Sequence, residues 1–395
     1  MNKHMDRRRL LQAAAGSALG AVAAAAGAQS FPYKPQQRYP DPSVLILDPS
    51  FAKYRIYSST LEQVGTGMRW AEGPVYLPRE GYLVCSDIPN NRLMRYEEKT
   101  GEFKVHKANA GYCNGNTRDR QGRLISCEHS VTRRVVRTES DGRVTVLADR
   151  YQGRQLSCEH LTRRLVRYEL DGSVSVLAAM FNGKRLNSPN DVVVKSDDTV
   201  WFTDPLFGIS GTWEGEKAAP EQATTNVYRL TPDGQLSAVI TDLVNPNGLA
   251  FSPDEKKLYV VEWKGTPNRS LWSYDVAADG SVSNKAKLID GTGAAALDGF
   301  RVDRDGNLWM GWGWNGAVAP EPVDAGNGMK VYQQQAKSED LDGVKIFNAQ
   351  GKPIGFIRLP ERCANLTFGG PKNNRLYMAA SHSLYALYVE SEGAT

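Results

Sequence analysis

A six-bladed β-propeller is the fold that this 395-residue sequence predicts. Short apolar runs alternate with turn signals at close spacing, and helical periodicity is almost absent. One opening unit, a polar residue and a small residue followed by alternating apolar positions, recurs six times. Each copy carries enough chain for a four-stranded sheet, the blade of a propeller.

The copies are legible in order. Glu72-Gly73-Pro74-Val75-Tyr76 leads to Tyr82-Leu83-Val84, and Asn114-Gly115-Asn116-Thr117 leads to Arg123-Leu124-Ile125. The third copy opens at Asn190-Asp191-Val192. Asn247-Gly248-Leu249-Ala250-Phe251 leads to Leu258-Tyr259-Val260, and Asp298-Gly299-Phe300-Arg301-Val302 to Leu308-Trp309-Met310. The last, Ala364-Asn365-Leu366-Thr367-Phe368, leads to Leu376-Tyr377-Met378. Asp-Gly turns such as Asp233-Gly234 separate the outer strands of each unit.

One interval is too long. Asn114 to Asn190 spans 76 positions, whereas Glu72 to Asn114 spans 42 and Asn247 to Asp298 spans 51. The excess is a tandem duplication: Ser126-Cys127-Glu128-His129 returns 31 positions later as Ser157-Cys158-Glu159-His160, and Thr132-Arg133-Arg134 returns 30 positions later as Thr162-Arg163-Arg164. No second Asn114-Gly115-Asn116-Thr117 accompanies it. The expectation is therefore six blades, one of them partly duplicated over 126–186 and carrying extra outer strands.

The ends read differently from the body. Asp6-Arg7-Arg8-Arg9-Leu10-Leu11-Gln12 followed by an Ala-rich run and the small-residue site Ala26-Gly27-Ala28 fits a twin-arginine signal peptide over 1–28. The expected order is that leader, a linker at 29–43, the propeller at 44–390 and a tail at 391–395. Export to a periplasm by the twin-arginine route follows. Loss of Lys3, Arg7, Arg8, Arg9 and Asp6 takes the formal charge from +4 to about +1. That gives no electrostatic case for a nucleic-acid partner. No later stretch is apolar enough to span a bilayer, so no membrane association is expected after cleavage. The expected state is a monomer or weak oligomer. Five cysteines without a CxxC pair read as small core residues in a chain that can bury its own core.

The functional signal centres on the stretch from Lys184 to Asp204. Asn187-Ser188-Pro189-Asn190-Asp191 is a polar turn that runs into Val192-Val193-Val194, a β-branched run suited to a buried strand. In a propeller the first strand of each blade lines the central channel, so the openings share one cavity. They are Glu72, Asn114, Asn190, Asn247, Asp298 and Ala364, and five of the six carry side-chain oxygen. Oxygen donors with two carboxylates suit a hard divalent cation such as Ca²⁺ or Mg²⁺. The competing reading is that Asn and Asp begin inner strands through turn hydrogen bonds.

Several ordered motifs carry a resemblance. Trp70-Ala71-Glu72-Gly73-Pro74, Ser86-Asp87-Ile88-Pro89-Asn90-Asn91, Arg185-Leu186-Asn187-Ser188-Pro189-Asn190-Asp191, Trp201-Phe202-Thr203-Asp204-Pro205, Pro246 to Asp254 and Leu297-Asp298-Gly299 are similar to those of the SMP-30/gluconolactonase family. The similarity runs from Val44 to Val389. It implies a six-bladed propeller with one divalent cation in the channel, Ca²⁺ being the expected ion and Zn²⁺, Mg²⁺ and Mn²⁺ the alternatives. The implied ligands are Glu72, Asn247 and Asp298, with Asn190 as a further ligand or water-mediated contact. The implied substrate is a sugar lactone, and the family's general base falls on Asp298. Asn114, Asp191, Asp204 and His129 complete the set as candidate substrate contacts. Asp204 either faces the pocket or ends a strand, and His129 either reaches the cavity or packs within a blade. Animal members carry a substrate-contacting arginine where this chain has Ser188. The alternative function is a non-catalytic, metal-containing propeller that binds a sugar or a protein. Retention of both Glu72 and Asp298 favours hydrolysis, and no G-x-S-x-G elbow points to a serine mechanism.

Overall fold

The computed structural model describes residues 38–130, 134–138, 144–149, 163–265, 268–291, 295–314, 323–324, 330–331 and 341–394. The segment 1–28 read as a leader, Cys158 and His160 lie outside them.

Six antiparallel sheets form the blades. The first contains Ala71–Leu77, Tyr82–Asp87, Arg92–Glu97 and Phe103–Ala108. The third contains Val192–Val194, Val200–Asp204, Asn226–Leu230 and Leu236–Ile240. The fourth starts at Pro246–Phe251 and the fifth at Ala295–Val302. The sixth, starting at Cys363–Gly369, is completed by Glu62–Thr66, which pairs with Ser383–Tyr388. This contribution from the start of the chain fastens the ring. Val44–Ile46 covers the outer edge of the fifth blade by pairing with its last strand, Pro353–Arg358. Covering such an edge leaves fewer unpaired backbone groups for another chain to join.

Inner and middle strands are almost wholly buried, as expected of sheets packed on both faces. Trp201, Trp309, Phe202, Phe300, Tyr228 and Tyr377 are among the largest side chains completely removed from solvent. They fill the wedges between successive blades.

The duplication is accommodated differently from the sequence expectation. In the second blade, Cys113–Arg118 pairs with Leu124–Glu128, and that strand pairs directly with Arg164–Tyr168 from the second copy. Val174–Ala178 finishes the sheet. Among the described residues the first-copy strands, Arg134–Thr138 and Val144–Asp149, pair only with each other as a separate two-stranded sheet. The extra strands are thus not added to the outer edge of the blade. The second blade has its usual four strands, and the first-copy hairpin is bypassed. The physical reason is register: Arg164 stands opposite Glu128 and its Nε donates to that carboxylate at 2.5 Å, so the outer half of the blade needs only one copy.

Deleting residues 126–156 would join Ile125 to Ser157 and leave a single intact repeat. Such a protein is expected to fold with an unchanged or higher melting temperature, because the connection closed between the paired strands is shorter. Thermal unfolding checks this, and a large drop would show that the first copy supports the blade.

Among the described residues Cys85, Cys113, Cys127 and Cys363 are free and buried. They pack as small core side chains.

Candidate active site at the upper channel mouth

Each inner strand begins with the same irregularity. The ladders to the second strands slip between Glu72 and Val75, Cys113 and Asn116, Pro246 and Leu249, Leu297 and Phe300, and Cys363 and Asn365. In the third blade both Asn190 and Asp191 bond to Thr203, with Asn190 N donating to Thr203 O and Thr203 N to Asp191 O. Every blade therefore opens on a bulge at its opening residue, polar in five blades and Ala364 in the sixth. A bulge re-aims a side chain at the cost of one ladder position, and here it turns the opening residues toward the axis.

Glycine next to the opening residue lets neighbouring inner strands close up. A Cβ on Gly73, whose φ is +48°, would lie 2.1 Å from Asn114 O. One on Gly248 would lie 2.6 Å from Asp298 O.

The result is a cavity of about 240 Å³ lined by Glu72, Asn114, Asn190, Asn247 and Asp298, with Trp70, Phe207, Trp213, Glu214 and Arg362 around them. The amides form a chain: Asn114 Nδ2 donates to Asn190 Oδ1 at 2.6 Å, and Asn190 Nδ2 donates to Asn247 Oδ1 at 2.9 Å. Arg362 Nη2 donates to Asp298 Oδ2 at 2.8 Å, and its guanidinium lies 5.4 Å from the Trp70 ring centre. Glu72 is buried, and its Oε2 accepts from Gly73 N at 3.0 Å. Burial first, and then the charge of Asp298, push the Glu72 carboxyl well above the ordinary carboxylate range.

These features fit a cation. Glu72 has no Lys, Arg or His ion-pair partner among the described residues, and a buried carboxylate beside a second one calls for positive charge. Each asparagine oxygen that accepts one hydrogen bond retains a second lone pair. Among the described residues no cluster of three or more His, Cys, Asp and Glu side chains is placed to hold an ion alone. A cation held here would need amide oxygens, and those of Asn190 and Asn247 line the cavity beside Glu72 and Asp298.

Three candidate residues lie away from the cavity wall. Asp191 is buried beside Asn190 and outside the cavity lining; its Oδ1 accepts from Val192 N at 2.9 Å, and its Oδ2 faces Arg301 Nη1 at 3.8 Å. Burial raises its carboxyl, and Arg301 opposes the rise. Asp204 is fully buried and clamps the turn before Asn190, accepting from Asn187 N and Ser188 N, both at 2.8 Å. Burial raises its carboxyl to about 7. With both oxygens used by backbone donors, Asp204 holds the loop and offers nothing to a substrate. His129 is buried behind the wall, its Nδ1 3.0 Å from Glu214 O, and burial lowers it to about 4, so the imidazole is neutral.

Ser188 also turns away: its hydroxyl donates to Pro205 O at 2.6 Å and accepts from Gly208 N at 3.1 Å. The guanidinium in the cavity comes from Arg362 instead. That residue precedes its blade opening, Ala364, by two positions, as Ser188 precedes Asn190 and Trp70 precedes Glu72. The offset is a sequence signal for Arg362. Phe207, Trp213 and Glu214 come from the long connection between Val200–Asp204 and Asn226–Leu230, which includes the short helix Phe207–Ser210. A connection of that length is itself a sign of function. Of the other tryptophans, Trp312 packs against Phe347 in the fifth blade, and Trp263 supports Phe207 edge-on at 5.5 Å.

Fold and site together define a six-bladed propeller with an acidic, amide-rimmed channel mouth under aromatic walls. The profile of the SMP-30/Gluconolactonase/LRE-like region matches residues 70–382, and the chain belongs to that family. It is 26% identical over 360 residues to a gluconolactonase of Zymomonas mobilis, covering 85% of this chain and 83% of the relative. It is 24% identical over 325 residues to a pentonolactonase of Haloferax volcanii, covering 80% and 84%. A solved gluconolactonase of Xanthomonas campestris superposes with a TM-score of 0.67 at 29% identity, covering 87% of this chain and 93% of that one.

Proposed function

We propose that the protein hydrolyses a sugar lactone to the open-chain acid, with a divalent cation, Ca²⁺ by its oxygen donors, held by Glu72, Asn190, Asn247 and Asp298. The observation that carries this reading is the pair of carboxylates, Glu72 and Asp298, facing one cavity whose amide and aromatic walls suit a hydroxylated ring. The names of its full-length relatives support the substrate class. The leader read in the sequence supports a periplasmic setting.

When bound, the cation would polarise the lactone carbonyl and lower the pKa of a bound water. The chain does the rest. Trp70 and Trp213 offer apolar faces to the sugar ring. Asp298, oriented by Arg362, takes a proton as the water oxygen bonds to the carbonyl carbon. Breaking the ring C–O bond then frees an alkoxide, which recovers a proton and leaves a hydroxy acid. Arg362 supplies a guanidinium to substrate oxygens from the place opposite to the one Ser188 has vacated.

The test is proton release from glucono-δ-lactone by purified protein, alongside metal analysis. Turnover that disappears with chelator and returns with Ca²⁺ is expected. Glu72→Gln should lower metal content, since a charged ligand is lost. Protein that holds metal but opens no lactone in a panel of five- and six-membered rings would overturn the reading and leave a binding module.

A further inference from the structure

The inner strands that place oxygen at the upper mouth place guanidinium groups at the other. A second cavity of about 100 Å³ is lined by the far ends of the same six strands, among them Tyr76, Arg118, Val194, Phe251, Arg301 and Phe368. Arg120 also borders it. The channel is therefore polarised, with carboxylates at one end and arginines at the other.

The arginines are poorly neutralised. Arg118 is half-buried, and among the described residues its partner is a neutral one, the Tyr76 carbonyl, reached by Nη1 at 3.0 Å. Arg301 Nη1 donates to its neighbour's carbonyl, Phe300 O, at 2.7 Å, and stands 3.8 Å from the Asp191 carboxylate. Arg120 meets Glu255 only at 3.4 Å, at the exposed rim. The carboxylate in the wall, Asp119, is committed elsewhere: it accepts from Arg123 Nε at 2.7 Å and from Gln121 N and Arg123 N. Burial, and then the charge of Arg120, lower the Arg118 guanidinium, the direction expected of a cation lacking an anion.

We infer that the lower mouth of the channel binds a small oxyanion, with Arg118 and Arg301 as its charged donors and Arg120 at the entrance. A guanidinium offers paired N–H groups that match two oxygens of a phosphate, sulfate or carboxylate. A narrow mouth with low-dielectric walls strengthens the attraction. The site is separate from the upper cavity and does not depend on the lactonase reading. Arg301 links the two ends, since its other neighbour, Asp191, follows Asn190 in the chain.

The experiment is calorimetric titration of the purified full chain with inorganic phosphate, ionic strength being held constant with chloride. One saturable site per chain is expected. Arg118→Gln should bind at least about tenfold more weakly, the loss of a charge-assisted pair of hydrogen bonds. Arg118→Lys, which keeps the charge but loses the fork, should also weaken binding, and it serves if the glutamine variant fails to fold. Glu72→Gln, altered only at the upper mouth, should bind phosphate as the unaltered chain does. The absence of saturable binding would overturn the inference. So would unchanged affinity in both folded Arg118 variants, or binding lost in Glu72→Gln but kept in Arg118→Gln, which would place phosphate at the upper mouth.

Discussion

Asp298→Asn is expected to lower kcat for lactone hydrolysis by on the order of 10²- to 10⁴-fold, the usual contribution of a positioned proton acceptor. The substitution is nearly isosteric, and Asn Oδ1 can still accept from Arg362 Nη2, now 2.8 Å from the carboxylate. What disappears is the acceptor for the water proton and one of two negative charges in a buried mouth. Removing that charge also relieves Glu72, whose carboxyl the charge of Asp298 helps to push upward. The fold should therefore hold, with a melting temperature equal to or above that of the unaltered chain. Initial rates and thermal unfolding on the same preparation check both halves. A folded variant with ordinary turnover would remove Asp298 from the chemistry.

Gly73→Ala is expected to have the largest effect on stability, about 3 kcal/mol or more, because two penalties coincide. Its φ of +48° is a conformation that costs an L-residue about 1–2 kcal/mol. The added Cβ would also sit 2.1 Å from Asn114 O, a backbone atom of the neighbouring inner strand that has no rotamer to escape into. To make room, the first and second blades must part where Glu72 and Asn114 meet the cavity, so activity should fall with stability. Gly234→Ala is the control: φ is +88° there, but nothing lies within 4 Å of the added atom. It should show the backbone penalty alone and keep its turnover. Denaturant unfolding of both variants separates the terms. Equal losses would mean that the inner strands are not in tight contact.

The two predictions mark how far the sequence could be read. The blade count followed from six repeated openings, because a strand buried on both faces and a turn after it leave a pattern that any one copy repeats. The oxygen ring followed for the same reason: Glu72, Asn114, Asn190, Asn247 and Asp298 hold equivalent positions in their repeats, and the fold converts equivalence in sequence into proximity around an axis. Glycine after four of the openings was visible as well, although its purpose, close approach between neighbouring strands, shows only when the strands are side by side.

Other features had no such periodic mark. Asp204 stands at a strand end beside a motif residue, and only the donors reaching it, Asn187 N and Ser188 N, separate a loop clamp from a substrate contact. His129 has a neutral imidazole behind the wall because a connection from another blade, carrying Gly208 and Glu214, covers it. The duplicated segment read as added strands, yet ladder pairing chose one hairpin and bypassed the other, since the middle strand of a blade offers a single free edge.

By itself, then, the sequence determined what repeats: six blades, their buried inner strands and the oxygen-bearing residue that opens five of them. Tertiary structure decided what crosses between repeats. It brought Arg362 to Asp298 from the next blade, turned Ser188 away, and gathered Arg118 and Arg301 at the far mouth of the channel. The physical reason is that hydrophobic period and turn chemistry act over a few residues and are written locally, whereas charge pairing across the channel depends on distances that exist only after the ring has closed.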